Sequence, residues 1–461
     1  MKALRDPDCL LAEGLAAIRA QFKVPAAFPP AAEAAAEAAA RRMPDAHADR
    51  TGLPFVTLDP ARSTDLDQAF AIQPAGGDLL LHYAIADVPW FVADDDPLDR
   101  EAWVRGETTY LPDGKAGLYP KAISEAAASL LPDGPRPAVI FTSRIGPDGK
   151  AVLQGVERAL IRSRAKLGYE TVRPDDLPAG FAELARRVAA ADDARGAARV
   201  DPPEQEVERG EDGHYTLRLR PLSRAERQNA ALSLATNLAV ADALLAAGTG
   251  LFRVMEGPDA GGETRLRFTA EAFGLEWPHE ASLAQFERLL DPDEPRAAAF
   301  LLAVRRAGEG ARYVPYRPGV VPWHAAMAAT YCHMTAPLRR LADRFVIRAA
   351  LAVANGQPVP DEVSTAFERL GPVMAKAGAR SGQIERAVID LAEAAILAGR
   401  EGEHFSAVVT DLGEAGARIQ LCDLPVVART AARRVRPGDR ITVRLEAVDP
   451  ARRTVRFARL S

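Results

Sequence analysis

Apolar and polar positions change period several times along this chain, and each change marks an element. Phe55-Val56-Thr57-Leu58 is a short apolar run, the pattern of a strand covered on both faces. Leu79 to Ala86, Ala138 to Arg144 and Val152 to Ile161 alternate or run apolar, so residues 55–161 read as strand-rich. The period then lengthens. Residues 182–199 read as helical and Pro202-Pro203 breaks the pattern. From Arg224 to Leu245, the residues Ala231, Leu234, Leu238, Ala241 and Leu245 recur three or four apart, the spacing of a helix face turned to a core. Further helices are predicted over 283–290, 297–307, 320–334, 338–354 and 361–398.

The two ends differ in style. Residues 1–50 read as a small helical segment, with Leu10 to Phe22 mildly amphipathic and Ala31 to Met43 almost pure alanine and charge. Such helices form readily but bury little, so a peripheral cap is expected. From Gly402 onward, short β-rich pieces (405–411, 417–421, 441–448 and 454–458) alternate with Gly, Pro and Asp, the sequence pattern of a five-stranded OB-fold barrel. The chain is thus expected to be α+β, with domains at 51–400 and 401–461 behind the helical segment.

Length, at 461 residues, allows two or three domains, and 48% apolar with 26% charged residues is ordinary for a globular protein. No signal-peptide pattern and no run of about 20 apolar residues stands out. Cys9, Cys332 and Cys422 are odd in number and far apart, which argues against a disulfide framework or a zinc site and fits a reducing cytoplasm. A formal charge of −5 is unhelpful to a nucleic-acid binder read globally, but arginines gather towards the end, among them Arg433, Arg434 and Arg436. On a small β-barrel they would form a surface that follows phosphates.

Candidate chemistry concentrates behind the first apolar run. Asp59, Asp65 and Asp67 fall within nine positions at a strand end and on the loop leaving it. Carboxylates held together repel one another unless a cation joins them, and hard oxygen donors with no His or Cys nearby suit Mg²⁺ or Mn²⁺. A polar turn between two strands is the plainer reading of the same residues.

The segment resembles the active-site signature of the ribonuclease II / ribonuclease R family, D-x-x-x-x-x-D-x-D-D after a strand of the form FVTID, with Gln68 in place of the fourth acid. The resemblance continues in order. Leu81 to Val88 is similar to the family's HIADV strand, Thr108-Thr109-Tyr110-Leu111-Pro112 to its TxYLP motif, and Leu118-Tyr119-Pro120 through Ser129-Leu130 to its LP-x-x-LS-x-x-x-x-SL run. Tyr331 to Arg340 resembles Y-x-x-FTSPIRR, with Asp343 and Arg348 following, and residues 402–460 are similar to an S1-type OB domain.

That resemblance implies an RNB catalytic domain that hydrolyses single-stranded RNA from its 3′ end to nucleoside 5′-monophosphates. It implies metal ligation by Asp59, Asp65, Asp67 and Gln68, with Asp65, Asp67 and Arg339 at the chemistry and Mg²⁺ (or Mn²⁺) as the cofactor. Tyr110 would stack on the terminal nucleotide, and Arg340 would be structural or an accessory phosphate contact. No small-molecule cofactor and no membrane are expected, and the chain is expected to act as a monomer. The family's cold-shock domains have no room ahead of Asp59, and Ala230-Ala231 replaces an acidic pair on the helix from Arg224, which bears on sugar discrimination. Two rivals follow from these departures: a catalytically retired RNA-binding protein, and a phosphodiesterase for oligonucleotides or DNA.

Overall fold

The computed structural model describes residues 10–198, 204–209, 215–220, 222–291, 294–307, 310–413, 416–431 and 434–460; Arg433 and Cys9 lie outside them. Among the described residues, nine strands lie between Ala48 and Gly168: β1 Ala48–Asp49, β2 Phe55–Asp59, β3 Gln68–Ala75, β4 Asp78–Ala86, β5 Thr109–Leu111, β6 Gly114–Ala116, β7 Arg136–Ile145, β8 Ala151–Ile161 and β9 Ser163–Gly168. Seven of them form one mixed sheet in the order β1-β8-β7-β4-β3-β2-β9, while β5 and β6 pair as a separate hairpin. β2 is antiparallel to β3 and parallel to β9, with Asp59 opposite Gly168. Phe55, Val56, Thr57 and Leu58 are all buried, so the run that looked covered on both faces is covered.

Helices pack on this sheet and supply the rest of the core. The helix Arg224–Ala246 starts with a reciprocal cap: Ser223 Oγ accepts from Glu226 N at 3.1 Å, and Glu226 Oε2 accepts from Ser223 N at 2.6 Å. Its buried stripe runs through Leu232, Ala235, Thr236, Ala239 and Val240, about one position round from the face the spacing pointed to. Polar contacts account for the rotation, because Asn237 Oδ1 is drawn inward to accept from Met334 N at 3.1 Å. This helix is long and apolar enough to cross a membrane by length and composition, as a core helix can be, and about half of its apolar stretch is buried inside the protein.

Two more expectations need correction. Residues 320–334 are not a helix but two short strands, Trp323–His324 and Ala329–Thr330, joined by one 3₁₀ turn. Ala328 sits at φ +46, which no helix permits, and the backbone groups of Tyr331 and Met334 are taken by Arg253 N and Asn237. The following helix begins at Leu341 rather than 338, so Pro337 lies in the turn before it, where Arg340 N donates to Ala336 O.

The N-terminal helix Leu10–Gln21 is more than a cap. Leu11, Leu15 and Ile18 are buried against Ile384, Val388 and Leu391 of the 37-residue helix Asp361–Leu397. A Cβ at Gly14 would sit 2.5 Å from Leu391 Cδ2, so a larger residue here would have to displace that leucine side chain. The helix Pro97–Arg105, inside the strand-rich stretch, escaped the periodicity reading. Its Asp96 cap, accepting from Asp99 N at 2.7 Å, and its leading proline were the available signals.

At the other end the strands His404–Gly413, Gly416–Leu421, Val427–Thr430, Arg440–Asp449 and Thr454–Arg459 close into a barrel with its own core. The whole is α+β: a mixed sheet with surrounding helices, followed by an OB-like barrel.

Candidate active site

Asp59 ends β2 and Gln68 begins β3, so the acidic loop 60–67 joins neighbouring antiparallel strands without a tight turn. Ser129 holds it in shape. The Ser129 hydroxyl donates to Thr64 O at 2.7 Å and accepts from Leu66 N at 2.9 Å, while Leu130 N donates to Leu66 O at 3.0 Å. Leu66 is fully buried between two acids that are not fully exposed either, so the loop is anchored like a core segment. Ser129 lies in a motif noted in the sequence, but its task was not legible there.

Each acid meets a different partner. Asp67 is 4% exposed; its Oδ1 accepts from Leu338 N at 2.7 Å and its Oδ2 from Arg339 Nε at 3.2 Å. Asp65 Oδ1 stands 2.7 Å from Lys115 Nζ, and its Oδ2 accepts from the Tyr110 hydroxyl at 3.2 Å. Asp59 Oδ2 is buried with no hydrogen-bond partner among the described residues. Burial pushes the Asp59 carboxyl up to about 6, offset by Arg339 and raised again by Asp65. Burial likewise pushes Asp67 up to about 7 against the pull of Arg339 and the Leu338 amide.

Gln68 accepts from the Tyr83 hydroxyl through Oε1 at 2.5 Å, which leaves that oxygen one further lone pair. Behind the loop, Asn229 Nδ2 donates to Leu58 O at 3.1 Å and to the Tyr169 hydroxyl at 2.8 Å, buttressing the end of β2.

The arginine loop is held just as firmly. Asp343 is fully buried; its Oδ2 accepts from Ala336 N at 2.8 Å and from Arg340 Nη2 at 2.7 Å. Arg340 is therefore committed to Asp343, while Arg339, with a side chain 44% exposed, turns to Asp67. Thr108 N donates to Arg339 O at 2.9 Å and Leu341 N to Gly106 O at 3.0 Å, which clips this loop to the approach to β5. Gly106 has φ +74, and a Cβ there would lie 2.7 Å from Ala377 Cβ; only glycine fits. Arg340 also lines a cavity of about 480 Å³ with Arg253, Tyr313 and His333.

On the β5–β6 hairpin, Tyr110 is 53% exposed and stands opposite Lys115 in register. Arg19 forks onto Asp113 at the hairpin turn, with contacts of 3.0 and 2.8 Å. Lys115 was not foreseen; a lysine following an Asp-Gly turn near Tyr110 was the signal that a hairpin would bring it back to the loop. His82 bonds Thr142 and Gln73, and His333 bonds the Tyr313 hydroxyl, so both are packed histidines. Arg434 and Arg436 lie on the barrel loop after Val427–Thr430, where Arg436 N donates to Asp439.

Residues 48–355 match the family described as the RNB domain, and residues 403–460 match the RNase II-type exonuclease C-terminal S1 domain. The chain belongs to the RNB-domain family. Among curated relatives, ribonuclease R of Aquifex aeolicus is 28% identical over 449 residues, covering 87% of this chain and 63% of the relative. Exoribonuclease 2 of Serratia proteamaculans is 29% identical, covering 82% and 62%. The chain thus spans less than two thirds of the length of these RNB relatives. RNase R of Mycoplasma genitalium, solved with ribose-methylated single-stranded RNA, superposes over 100% of this chain and 79% of that one, with a TM-score of 0.86 at 19% identity. Yeast Ssd1, a pseudonuclease, gives a TM-score of 0.65 at 16% identity over 96% of this chain and 57% of that one, so the RNB fold alone does not guarantee chemistry.

Proposed function

We propose that this chain hydrolyses single-stranded RNA from its 3′ end to nucleoside 5′-monophosphates with a divalent metal ion. One observation carries the reading: Asp67 and Arg339, far apart in sequence, meet at 3.2 Å beside a buried, unpartnered carboxylate oxygen of Asp59. Acids that are crowded, buried and raised in pKa are what a cation would relieve.

The fit to a metal is partial as the side chains stand. Among the described residues, no three His, Cys, Asp or Glu side chains come close enough to hold one together. Asp59 would offer its open oxygen, with Asp65 the acid that acts on it, and Asp67 and the second lone pair of Gln68 would have to move in to complete an all-oxygen set suited to Mg²⁺ or Mn²⁺. When bound, such an ion supplies Lewis-acid charge at the phosphoryl oxygens.

The chain's own residues do the rest. Arg339 spends Nε on Asp67, which leaves its Nη groups, on a half-exposed side chain, for a phosphate, where they would offset developing charge. Tyr110 presents an exposed ring next to Asp65, where it would stack on a terminal base without regard to sequence. Arg434 and Arg436 on the barrel, with Arg433, would follow the phosphates farther out, and Arg340 adds charge to the cavity it lines. The reading carries with it a monomeric protein acting in the cytoplasm.

A retired, RNA-binding protein is the second reading, favoured by Gln68 in place of an acid. A 5′-labelled single-stranded RNA of about 30 nucleotides, a matched DNA and a dinucleotide, each with and without Mg²⁺, separate the possibilities. A short 5′-labelled RNA product that requires metal and vanishes in Asp67→Asn supports hydrolysis from the 3′ end. Intact RNA in both proteins would make the chain a binder, and equal cleavage of DNA would make it a general phosphodiesterase.

A further inference from the structure

We propose that the cavity behind the arginine loop is a second phosphate site, which takes a nucleoside 5′-monophosphate. The proposal goes beyond hydrolysis, because it requires neither a metal ion nor a working acidic loop.

Arg339 and Arg340 are neighbours that face two ways. The backbone at Arg340 is extended, with φ −132 and ψ 122, and Glu107 pairs with it across an antiparallel bridge. Successive side chains on extended backbone leave on opposite sides. Arg339 goes to Asp67, whereas Arg340 goes to Asp343 and into the wall of the cavity of about 480 Å³. Asp59, Asp65, Asp67 and Arg339 do not line that cavity, so it is distinct from the acidic site. Its volume falls within the roughly 300–1,000 Å³ of small-ligand sites.

Arg253 supplies a charge held in place. Its backbone N donates to Tyr331 O at 2.8 Å, and it stands opposite Tyr313 in the strand pair Leu251–Val254 and Arg312–Pro315. The guanidinium lies 4.4 Å from the centre of the Tyr313 ring. Its Nε is buried with no hydrogen-bond partner among the described residues. A buried donor left unpaired is costly, and an anion in the cavity would satisfy it. Arg340 grips Asp343 through Nε and Nη2, which leaves Nη1 for the same anion. On the cavity wall, burial and then the charges of Arg340, Arg253 and Arg339 hold His333 well below its usual value. The imidazole stays neutral, and the side-chain charges acting on it are positive.

The two acids on the wall bear on what enters. Glu256 is taken by Arg312 at 2.8 Å, while Glu107 is an acceptor for ribose hydroxyls or a base amino group. The helix Asp361–Leu397 contributes Gly378, where an added Cβ would meet nothing within 4 Å. Glycine weakens a helix interior, and here it leaves the cavity open.

Isothermal titration calorimetry of AMP into the full chain without Mg²⁺ tests this, beside inorganic phosphate and adenosine. AMP is expected to bind more tightly than either. Arg253→Gln removes the charge and should weaken AMP binding by about tenfold or more. Gly378→Leu fills the cavity from an open helix position and should do the same. Tyr110→Ala, at the acidic site, should leave AMP binding unchanged. Circular dichroism identical to wild type establishes that each variant is folded. No AMP binding by the wild type, or binding as tight for adenosine or phosphate, would overturn the proposal. So would unchanged binding in either folded cavity variant, or binding lost in Tyr110→Ala alone. Hydrolysis is read separately on labelled RNA, so its failure would leave the proposal standing.

Discussion

Arg339 donates from Nε to Asp67 Oδ2 at 3.2 Å while the neighbouring Leu338 amide donates to Asp67 Oδ1 at 2.7 Å, so one buried carboxylate locks the arginine loop onto the acidic loop. The contact uses only one edge of the guanidinium. The other edge, on a side chain 44% exposed, is the part available to a phosphate.

Replacing Arg339 by Lys therefore keeps the positive charge near Asp67 but loses the two-pronged grip. Single-turnover cleavage of a labelled RNA is expected to slow by about 10²–10³-fold, the scale of losing one group that offsets developing charge. RNA affinity, read by filter binding in the absence of metal, should change little. An unchanged cleavage rate would return Arg339 to a purely structural part.

Metal affinity should rise with pH. Asp59 and Asp67 are held up at about 6 and about 7, chiefly by burial, so both retain protons over a range where free carboxylates have lost theirs. Between the ordinary value near 3.8 and these raised values the folded chain binds more protons than the unfolded chain. The metal-free protein accordingly loses stability as pH rises through that window. Binding Mg²⁺ near pH 6 should release protons, seen as a calorimetric heat that depends on the buffer's ionisation enthalpy. The rise in Tm on adding Mg²⁺ should be larger at pH 8 than at pH 5.5; the reverse order would contradict the cation site at Asp59.

Glu393 ties three parts of the chain together. From the helix Asp361–Leu397, its Oε1 accepts from Gln205 Nε2 in the strand Glu204–Arg209 and from Val427 N in the barrel, each at 2.7 Å. Burial raises its carboxyl to about 7, against the pull of those two bonds. Glu393→Ala leaves both donors without this acceptor and should cost about 1–3 kcal/mol. Glu393→Gln keeps an acceptor oxygen and removes the charge, so its Tm should equal or exceed that of wild type above pH 7. Since the folded value is raised, wild-type stability should fall relative to Glu393→Gln as pH climbs from about 4.5 to about 7, and parallel Tm–pH curves would rule the titration out.

The sequence by itself determined the strand that ends in Asp59, the helices over 224–246 and 361–397, the barrel at the end, and the order of motifs that fixes the family. Those features are local: a period of two or of 3.6, a cap, a proline, a run of acids. It also singled out Asp67, Arg339 and Tyr110, which the tertiary structure brings to one place.

Only the tertiary structure decided who neutralises whom. The segment 320–334 lost its helical promise to Asn237, which takes the Met334 amide from another helix. Pro337 and Arg340 were drawn out of the helix by Asp343, and Arg339 passed over the nearby Asp343 for the distant Asp67. Lys115 and Ser129 became part of the site through a hairpin register and a single hydroxyl. The physical reason is common to all of these. Burying a polar or charged group is costly unless it finds a partner, and in a folded chain that partner is chosen by proximity in space, which no local spacing encodes.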